Sequence, residues 1–428
     1  MIQSHTHTGK TSPIGISDIG VYLTNRGVPV DALIAGRSGA DSDLRARLHK
    51  ANKIAGQKFV RFPHTWEDSV TLAAESARQV LQRITRPGIM RLLAVGTETP
   101  VDHAKPVAAY VQGLLKADGL DLGNSLSTLQ LQHACAGSTM GLLHTAGLLN
   151  ASGRHEERGL VLSTDISRYS TGSSGELTQG AGAVAVLVEH DPSLLAIDLA
   201  TVGQFSADAD DFFRPLGESA ARVRGGHSIK CYRKALAAAF KDHCRQRDQA
   251  EHDVIKDTDF FVLHTPFRNM PDMAFEWFLH KHGLGCNGDG LYSKPHGACL
   301  RDATDQVAFT GNLYNGAIYF VLAHLLQNLY RNLGNDIVGK RIVLGSYGSG
   351  STMVVLNTTV TAGAPEVIQR WNLATRDSAM SLEDYESFER WADLYDTDPY
   401  VSNGSPAQPG QFYLKEIRSD GYRVYDIS

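Results

Sequence analysis

The chain has 428 residues, 42% of them hydrophobic and 20% charged, with a net charge of −5. That length and balance allow one large core or two fused ones, and show no basic excess that would direct the protein to nucleic acid. No apolar run approaches the roughly 20 residues of a membrane span, and five scattered cysteines without CxxC spacing argue against a disulfide framework or a zinc site.

The first ten residues lack the apolar stretch of a signal peptide, so a cytoplasmic, reducing compartment is expected. His5 and His7 read as a solvated end rather than metal ligands. Helix and strand signals then alternate. Val70, Ala73, Ala77, Val80, Leu81 and Ile84 share one helical face. Arg91 to Glu98 reads as a buried strand, and Val107 to Leu115 as a short helix stopped by Asp118-Gly119. Leu126, Leu129 and Leu131 lead to Cys135, where small residues open a third helix ending at Asn150-Ala-Ser-Gly153. Leu160 to Ser163 and Ala183 to Val188 are apolar enough to be central strands. Beyond residue 362 the pattern changes. Leu382 to Leu394 reads as an acidic helix, Val401 to Gln411 as an exposed loop, and Phe412 to Ile427 as a hairpin about Asp420-Gly421. Alternating strands and covering helices predict a layered α/β protein.

The second half replays the first. Arg91-Leu-Leu-Ala-Val-Gly-Thr-Glu98 is echoed by Asp259-Phe-Phe-Val-Leu-His264. Cys135-Ala-Gly-Ser-Thr-Met is echoed by Asn312-Leu-Tyr-Asn-Gly-Ala, a polar residue again opening a helix. Gly159-Leu-Val-Leu-Ser-Thr, then Gly182-Ala-Val-Ala-Val, is echoed by Arg341-Ile-Val-Leu-Gly-Ser, then Ser351-Thr-Met-Val-Val. The order matches, so two duplicated halves are expected, residues 1–190 and 191–428. A pseudo-twofold pairing of such halves brings their strand ends to one shared site.

Four strand-end residues carry the chemistry. Taken singly, Cys135 reads as an inert buried thiol, Glu98 as a surface carboxylate and His264 as a core histidine. Together they say more. Cys135 stands where a strand gives way to a helix, a position whose backbone N–H groups and dipole favour the thiolate. Glu98 follows four apolar residues, so partial burial is expected to raise its pKa and suit it to abstracting a proton from carbon. His264 is placed to act near neutral pH as an acid or hydrogen-bond donor, and Asn312 offers a neutral amide for a thioester carbonyl. The N–H of Cys135 and the turn Gly345-Ser-Tyr-Gly-Ser-Gly350 are candidate oxyanion donors. That turn lacks the Gly-Lys-Ser/Thr ending of a phosphate loop. The set suits carbon–carbon bond formation on an enzyme-bound acyl thioester. It suits a cysteine protease poorly, since Glu98 would have no task.

From Ile14 to Ile427 the chain resembles the 3-hydroxy-3-methylglutaryl-CoA synthases of the thiolase superfamily. The motifs are Val95-Gly-Thr-Glu-Thr99, Ala134-Cys135, Thr164-Asp-Ile-Ser-Arg-Tyr169, Gly175-Glu-Leu-Thr-Gln-Gly-Ala-Gly-Ala-Val184, Asp211-Phe-Phe-Arg-Pro215, His264-Thr-Pro-Phe267, Gly311-Asn-Leu-Tyr314 and Ser346-Tyr-Gly-Ser-Gly350. The tail from Phe412 resembles bacterial members. The resemblance implies a thiolase-like layered αβαβα fold, a homodimer, coenzyme A thioesters as substrates, and no metal or redox cofactor. It implies that Cys135 is acetylated by acetyl-CoA and that Glu98 removes a methyl proton from the acetyl-enzyme. The enolate then attacks acetoacetyl-CoA oriented by His264. Asn312 and the N–H of Ser346 are implied to hold thioester oxygens, with Asp165, Tyr169, Asp211 and Tyr314 lining or buttressing the site. Arg214 and Arg268 are the cations offered to the CoA phosphates.

One position departs from the pattern. Family members commonly carry Tyr after the cysteine, whereas here Ala136 stands in Ala-Cys-Ala-Gly, which resembles the ketoacyl-ACP synthase III enzymes. Loss of that side chain is expected to widen the pocket beside the thiol. Three alternatives therefore stand: a β-branching synthase whose β-ketoacyl acceptor rides on an acyl carrier protein, a synthase III-like condensing enzyme or acyltransferase, and a catalytically silent partner subunit.

Overall fold

The computed structural model describes residues 12–283, 290–373, 378–394, 400–401 and 408–428. His5, His7, Cys286 and most of the Val401–Gln411 loop lie outside the described residues. Ten strands form one sheet: β1 (Ile14–Leu23), β2 (Ile89–Gly96), β3 (Ser127–Leu131), β4 (Glu157–Ile166), β5 (Ala181–His190), β6 (Leu195–Ile197), β7 (Gly203–Ser206), β8 (Phe260–Leu263), β9 (Arg341–Gly348) and β10 (Thr352–Val360). Their order is β8-β9-β10-β6-β1-β5-β4-β2-β3, with β7 also pairing with β10. The long strands β4, β5, β9 and β10 are buried along almost their whole length, as expected for strands covered on both faces.

The pairing directions repeat on either side of the centre. Moving outward from β1, β5 is antiparallel to β1, β4 antiparallel to β5, and β2 parallel to β4. Moving outward from β6 and β7, β10 is antiparallel to both, β9 antiparallel to β10, and β8 parallel to β9. The echoed sequences thus occupy equivalent strands, β2 with β8, β4 with β9 and β5 with β10. A short antiparallel seam joins the two sets, Ile14–Ile16 against Leu195–Ile197. At Gly15 a Cβ would lie 2.0 Å from the Leu195 carbonyl oxygen, so the seam tolerates no side chain there.

The helices follow the apolar patterns, with shifted ends. The first predicted helix is α1 (Ser69–Leu81), begun by a capping box in which Asp68 accepts from Val70 N and Thr71 N while Thr71 Oγ1 accepts from Asp68 N. It is buried on almost every face, against β1, β4 and β5, with the tail hairpin also against it. α2 (Val107–Ala117) runs a residue or two beyond its expected end. α3 (Gly137–Ser152) starts two residues after Cys135 and stops at Gly153, whose φ of 61° is left-handed. α4 (Gly225–Gln246) and α5 (Met270–Lys281) cover the second half. α6 (Ala317–Leu333), buried along most of its length, begins later than expected, because a 3₁₀ turn at Tyr314–Gly316 separates it from Asn312. The acidic helix is α7 (Leu382–Leu394), and the tail hairpin is β11 (Phe412–Ile417) with β12 (Arg423–Ile427). No helix among the described residues is long and apolar enough to cross a membrane.

The hairpin is held by the same residue that caps α1. The second carboxylate oxygen of Asp68 accepts from Arg423 at 3.0 Å and from the Tyr425 hydroxyl at 2.7 Å, and both Asp68 and Arg423 are buried. Asp68→Ala removes the cap and takes the carboxylate from a buried guanidinium, so it is expected to cost about 2–4 kcal/mol in urea unfolding. Asp68→Asn, which keeps a capping oxygen, is expected to cost less.

Candidate active site

β3 ends at Leu131, and the chain turns through Gln132-His133-Ala134 to Cys135. Ala134 adopts φ 40°, a left-handed conformation that costs a non-glycine residue about 1–2 kcal/mol. Two hydrogen bonds hold the turn, Ala136 N to the His133 carbonyl at 3.0 Å and Asn315 Nδ2 to the Ala134 carbonyl at 2.9 Å. Small residues are required around it. A Cβ at Gly96 would lie 2.1 Å from Ser138 N, and one at Gly348 would lie 2.4 Å from the His133 carbonyl and 2.8 Å from the Ala136 Cβ. Ala136 is fully buried against that glycine of the other half. Its methyl group lies close to that glycine.

The Cys135 thiol donates to Glu98 Oε1 at 3.4 Å, and both residues are buried. Beneath them, Asp165 is completely buried and accepts from Glu98 N (2.9 Å), Thr97 Oγ1 (3.0 Å) and Thr99 Oγ1 (3.0 Å) on one side. On the other side it accepts from Asn315 N (3.2 Å) and Asn315 Nδ2 (3.0 Å). Asn315 Oδ1 in turn accepts from Ser138 N at 2.9 Å, in the first turn of α3. The Glu98 loop, the Cys135 loop and the start of α6 are thus fastened to one another.

Electrostatics set the protonation states. Burial, then the nearby Asp165, push the Glu98 carboxyl up to about 8, with Arg214 pulling the other way. Burial, then Glu98 and Asp165, also push the Cys135 thiol well up. The preformed thiolate expected from the strand–helix position is therefore overruled by desolvation beside two carboxyl groups. The thiol instead has a hydrogen-bonded acceptor for its proton, Glu98.

The facing wall comes largely from the second half. His264 ends β8 with its backbone N donating to the Gly345 carbonyl at 2.8 Å, and Tyr232 donates to its carbonyl at 3.0 Å. Burial lowers its pKa to about 3, which leaves the ring neutral near pH 7, able to offer a hydrogen bond rather than the proton also expected of it. Its buried Nδ1, like the buried Ser346 Oγ, has no protein partner among the described residues. Asn312 Nδ2 donates to the Tyr169 hydroxyl at 3.4 Å, and Asn312 Oδ1 accepts from Tyr314 N at 2.9 Å. Tyr169, Phe212 and Tyr314 stand edge to face about Cys135, with ring centroids 5.8–6.4 Å apart. Ser346 lies within β9, not in a loop, and the following turn is tied down by Asp211, which accepts from Gly350 N (2.9 Å), the Tyr347 hydroxyl (2.8 Å) and Ser228 Oγ (3.0 Å).

Both arginines offered to the CoA phosphates are engaged by carboxylates in the structure. Arg214 Nη1 donates to the Glu98 carbonyl at 2.6 Å and its Nη2 lies 3.3 Å from Glu98 Oε2. Arg268 is held by Asp272 and Asp305 at the start of α5. Sequence reasoning missed Asn315, Phe212 and Gln179. Phe212 and Gln179 stood inside quoted motifs, but nothing local marks Asn315 as the tie between loops. Phe212 arrives on a flap, 207–224, pinned to Gly350 and Ser351 at its start and by Ala221 N to the Arg168 carbonyl at 2.9 Å near its end. No group of three or more His, Cys, Asp or Glu able to hold a metal occurs among the described residues.

Comparison with known proteins decides the family. The N-terminal family model of hydroxymethylglutaryl-coenzyme A synthase matches residues 48–193, and the C-terminal one matches 195–282 and 302–428. The chain belongs to the hydroxymethylglutaryl-CoA synthase family. The Enterococcus faecalis synthase is 28% identical over 90% of this chain and 93% of its own, and the Haloferax volcanii synthase 26% identical over 84% and 88%. A solved structure, MvaS in complex with 3-hydroxy-3-methylglutaryl coenzyme A, superposes with a TM-score of 0.80 at 31% identity, covering 98% of this chain and all of that one. A synthase from curacin biosynthesis bound to a holo donor-ACP shares the fold at TM-score 0.82 and 21% identity. The fold is thus the thiolase-like one expected, and the protein is an acyl-transferring condensing enzyme of this family.

The site's charge and packing lead to three expectations. If Glu98 must be ionised to act as base, the condensation rate rises with unit slope and levels off above about pH 8, measured from pH 6 to 9.5. Because its folded pKa lies above its ordinary value of 4.5, the folded state holds this proton more tightly than the unfolded one. The stability this proton contributes is complete below about pH 4.5 and is lost as pH rises through about 8. The stability advantage of Glu98→Gln over the parent should therefore widen between pH 5 and pH 8, by on the order of 3 kcal/mol. Gly348→Ala is expected to lower kcat about 100-fold with the far-ultraviolet spectrum unchanged, since it pushes on the nucleophile turn.

Proposed function

We propose that the protein transfers an acetyl group from acetyl-CoA to Cys135 and condenses it with acetoacetyl-CoA, giving 3-hydroxy-3-methylglutaryl-CoA and free CoA. The observation that carries this reading is the thiol of Cys135 bonded to a buried, high-pKa Glu98. Cys135 attacks the acetyl thioester, its proton passing to Glu98 and from there to the sulfur of the departing CoA, which leaves as the thiol. Glu98, once ionised again, removes a proton from the acetyl methyl group. The resulting enolate attacks the ketone of the acceptor. The tertiary alkoxide formed takes the proton back from Glu98, and water then cleaves the thioester to Cys135. Neutral His264 donates a hydrogen bond to the acceptor, Asn312 and the Ser346 N–H hold thioester oxygens, and Tyr169, Phe212 and Tyr314 enclose the thiol. Arg214 serves as the electrostatic partner that keeps Glu98 from rising further.

The same reading takes residues 1–190 and 191–428 as the duplicated halves, and the protein as a cytoplasmic homodimer. Four free cysteines among the described residues agree with a reducing compartment. β3 is the last strand of the sheet, an unpaired edge suited to meeting a second copy. A second reading, in which the acceptor rides on an acyl carrier protein, is favoured by one feature. The flap exposes three apolar side chains, Phe213, Leu216 and Val223, with Leu216 90% exposed.

Adding acetyl-CoA and the purified protein to acetoacetyl-CoA is expected to consume it, with turnover lost in Cys135→Ser. No consumption by a protein whose Cys135 still gains an acetyl group would overturn the acceptor assignment in favour of the carrier-protein reading.

A further inference from the structure

The acidic helix α7 has so far had no task in the chemistry, yet it reaches the site. Ser381 caps it, its hydroxyl accepting from Asp384 N at 3.1 Å, and that cap turns Tyr385 inward. Tyr385 is completely buried, its ring edge-on to Phe62 at 5.2 Å. Its hydroxyl oxygen accepts from Gln179 Nε2 at 2.7 Å. Gln179 Oε1 accepts from Tyr169 N at 2.7 Å. Because a backbone N–H can only donate, the orientation of the Gln179 amide is fixed, oxygen toward Tyr169 and nitrogen toward Tyr385. The Tyr385 proton must then go to a carboxylate, Glu389 at 3.0 Å or Glu176 at 3.3 Å. Those two, with Glu386, surround the single guanidinium of Arg37. Gln179 also lies beside Asn312 in an isolated β-bridge, and Asn312 N donates to the neighbouring Thr178 carbonyl at 2.8 Å.

We infer that Tyr385 is a positioning residue: through Gln179 it fixes Tyr169 and Asn312 opposite Cys135. The chain of donors runs one way, from Tyr169 N–H to Gln179, from Gln179 to Tyr385, and from Tyr385 to the carboxylates around Arg37. The Gln179 amide has a single allowed orientation, and removing the Tyr385 hydroxyl takes away the acceptor of its buried Nε2, which loosens the wall that Tyr169 and Asn312 build. This rests on the proposed condensation reaction for the roles of Tyr169 and Asn312.

The test is a double-mutant cycle with Tyr385→Phe and Gln179→Glu, read in kcat/KM for condensation, in the single-turnover rate of Cys135 acetylation, and in the melting temperature. Tyr385→Phe keeps the ring and its contact with Phe62. It is expected to lower kcat/KM about tenfold with the melting temperature nearly unchanged, and the double variant should be no worse than the poorer single one. Wild-type kcat/KM in Tyr385→Phe, or single effects that multiply in the double variant, would overturn the inference. So would a fall in melting temperature with kcat/KM unaltered. If the wild-type protein acetylates Cys135 but consumes no acetoacetyl-CoA, the reaction assignment fails instead, and the cycle is read in the acetylation rate.

Discussion

Everything at this centre hangs on one buried carboxylate, Asp165. Asp165, at the end of β4, has no exposure to water and gathers its donors from both halves of the chain. A charge so placed is costly unless its oxygens are satisfied, and here they accept from Thr97, Glu98, Thr99 and Asn315. Satisfying Asp165 forces the Glu98 loop and the start of α6 to meet at one point, and Asn315 then extends the tie to the strained turn at Ala134. Cys135 and Glu98 are held in register by a third acid, Asp165.

The same arrangement explains why the reactive groups have the protonation states they do. With Asp165 and dry walls behind it, Glu98 resists ionisation, and a carboxylate that resists ionisation is a stronger base once formed. The thiol of Cys135 is likewise held protonated. In the proposed mechanism proton traffic keeps to the short path between Cys135 and Glu98. His264 stays neutral for the same reason, a desolvated ring with no charged partner, and can offer a hydrogen bond without competing for the proton. Function is set here against stability, because each of these burials would be more comfortable without an ionisable group.

Much of this was legible in the residues. Apolar runs of three or more marked β2, β4, β5, β8, β9 and β10, because strands covered on both faces leave no room for alternation. The duplicated order of those runs anticipated the two matching sets of strand directions. The four residues at strand ends were legible because strand ends in such sheets converge. What stayed hidden was tertiary. Asn315 looks like any polar residue before a helix until the Asp165 oxygens appear beside it. Arg214 read as a cation for phosphate because the sequence does not show that its flap folds back over Glu98. Ala136 read as a missing wall, and the sequence does not show that its methyl group lies close to Gly348. The thiolate expected at Cys135 failed for a similar reason, since a helix end is visible in sequence and the depth of burial is not.

The central claim is that Cys135 and Glu98 act in sequence on one acetyl group, the first as nucleophile and the second as the base for its methyl proton. Acetyl-CoA alone, incubated with the enzyme in deuterium oxide, tests it without any acceptor. Mass spectrometry of the peptide carrying Cys135 should show an acetyl group that gains deuterium with time in the wild-type protein, and one that stays unlabelled in Glu98→Gln. An acetyl group found on another residue, or equal labelling in both proteins, would contradict the account.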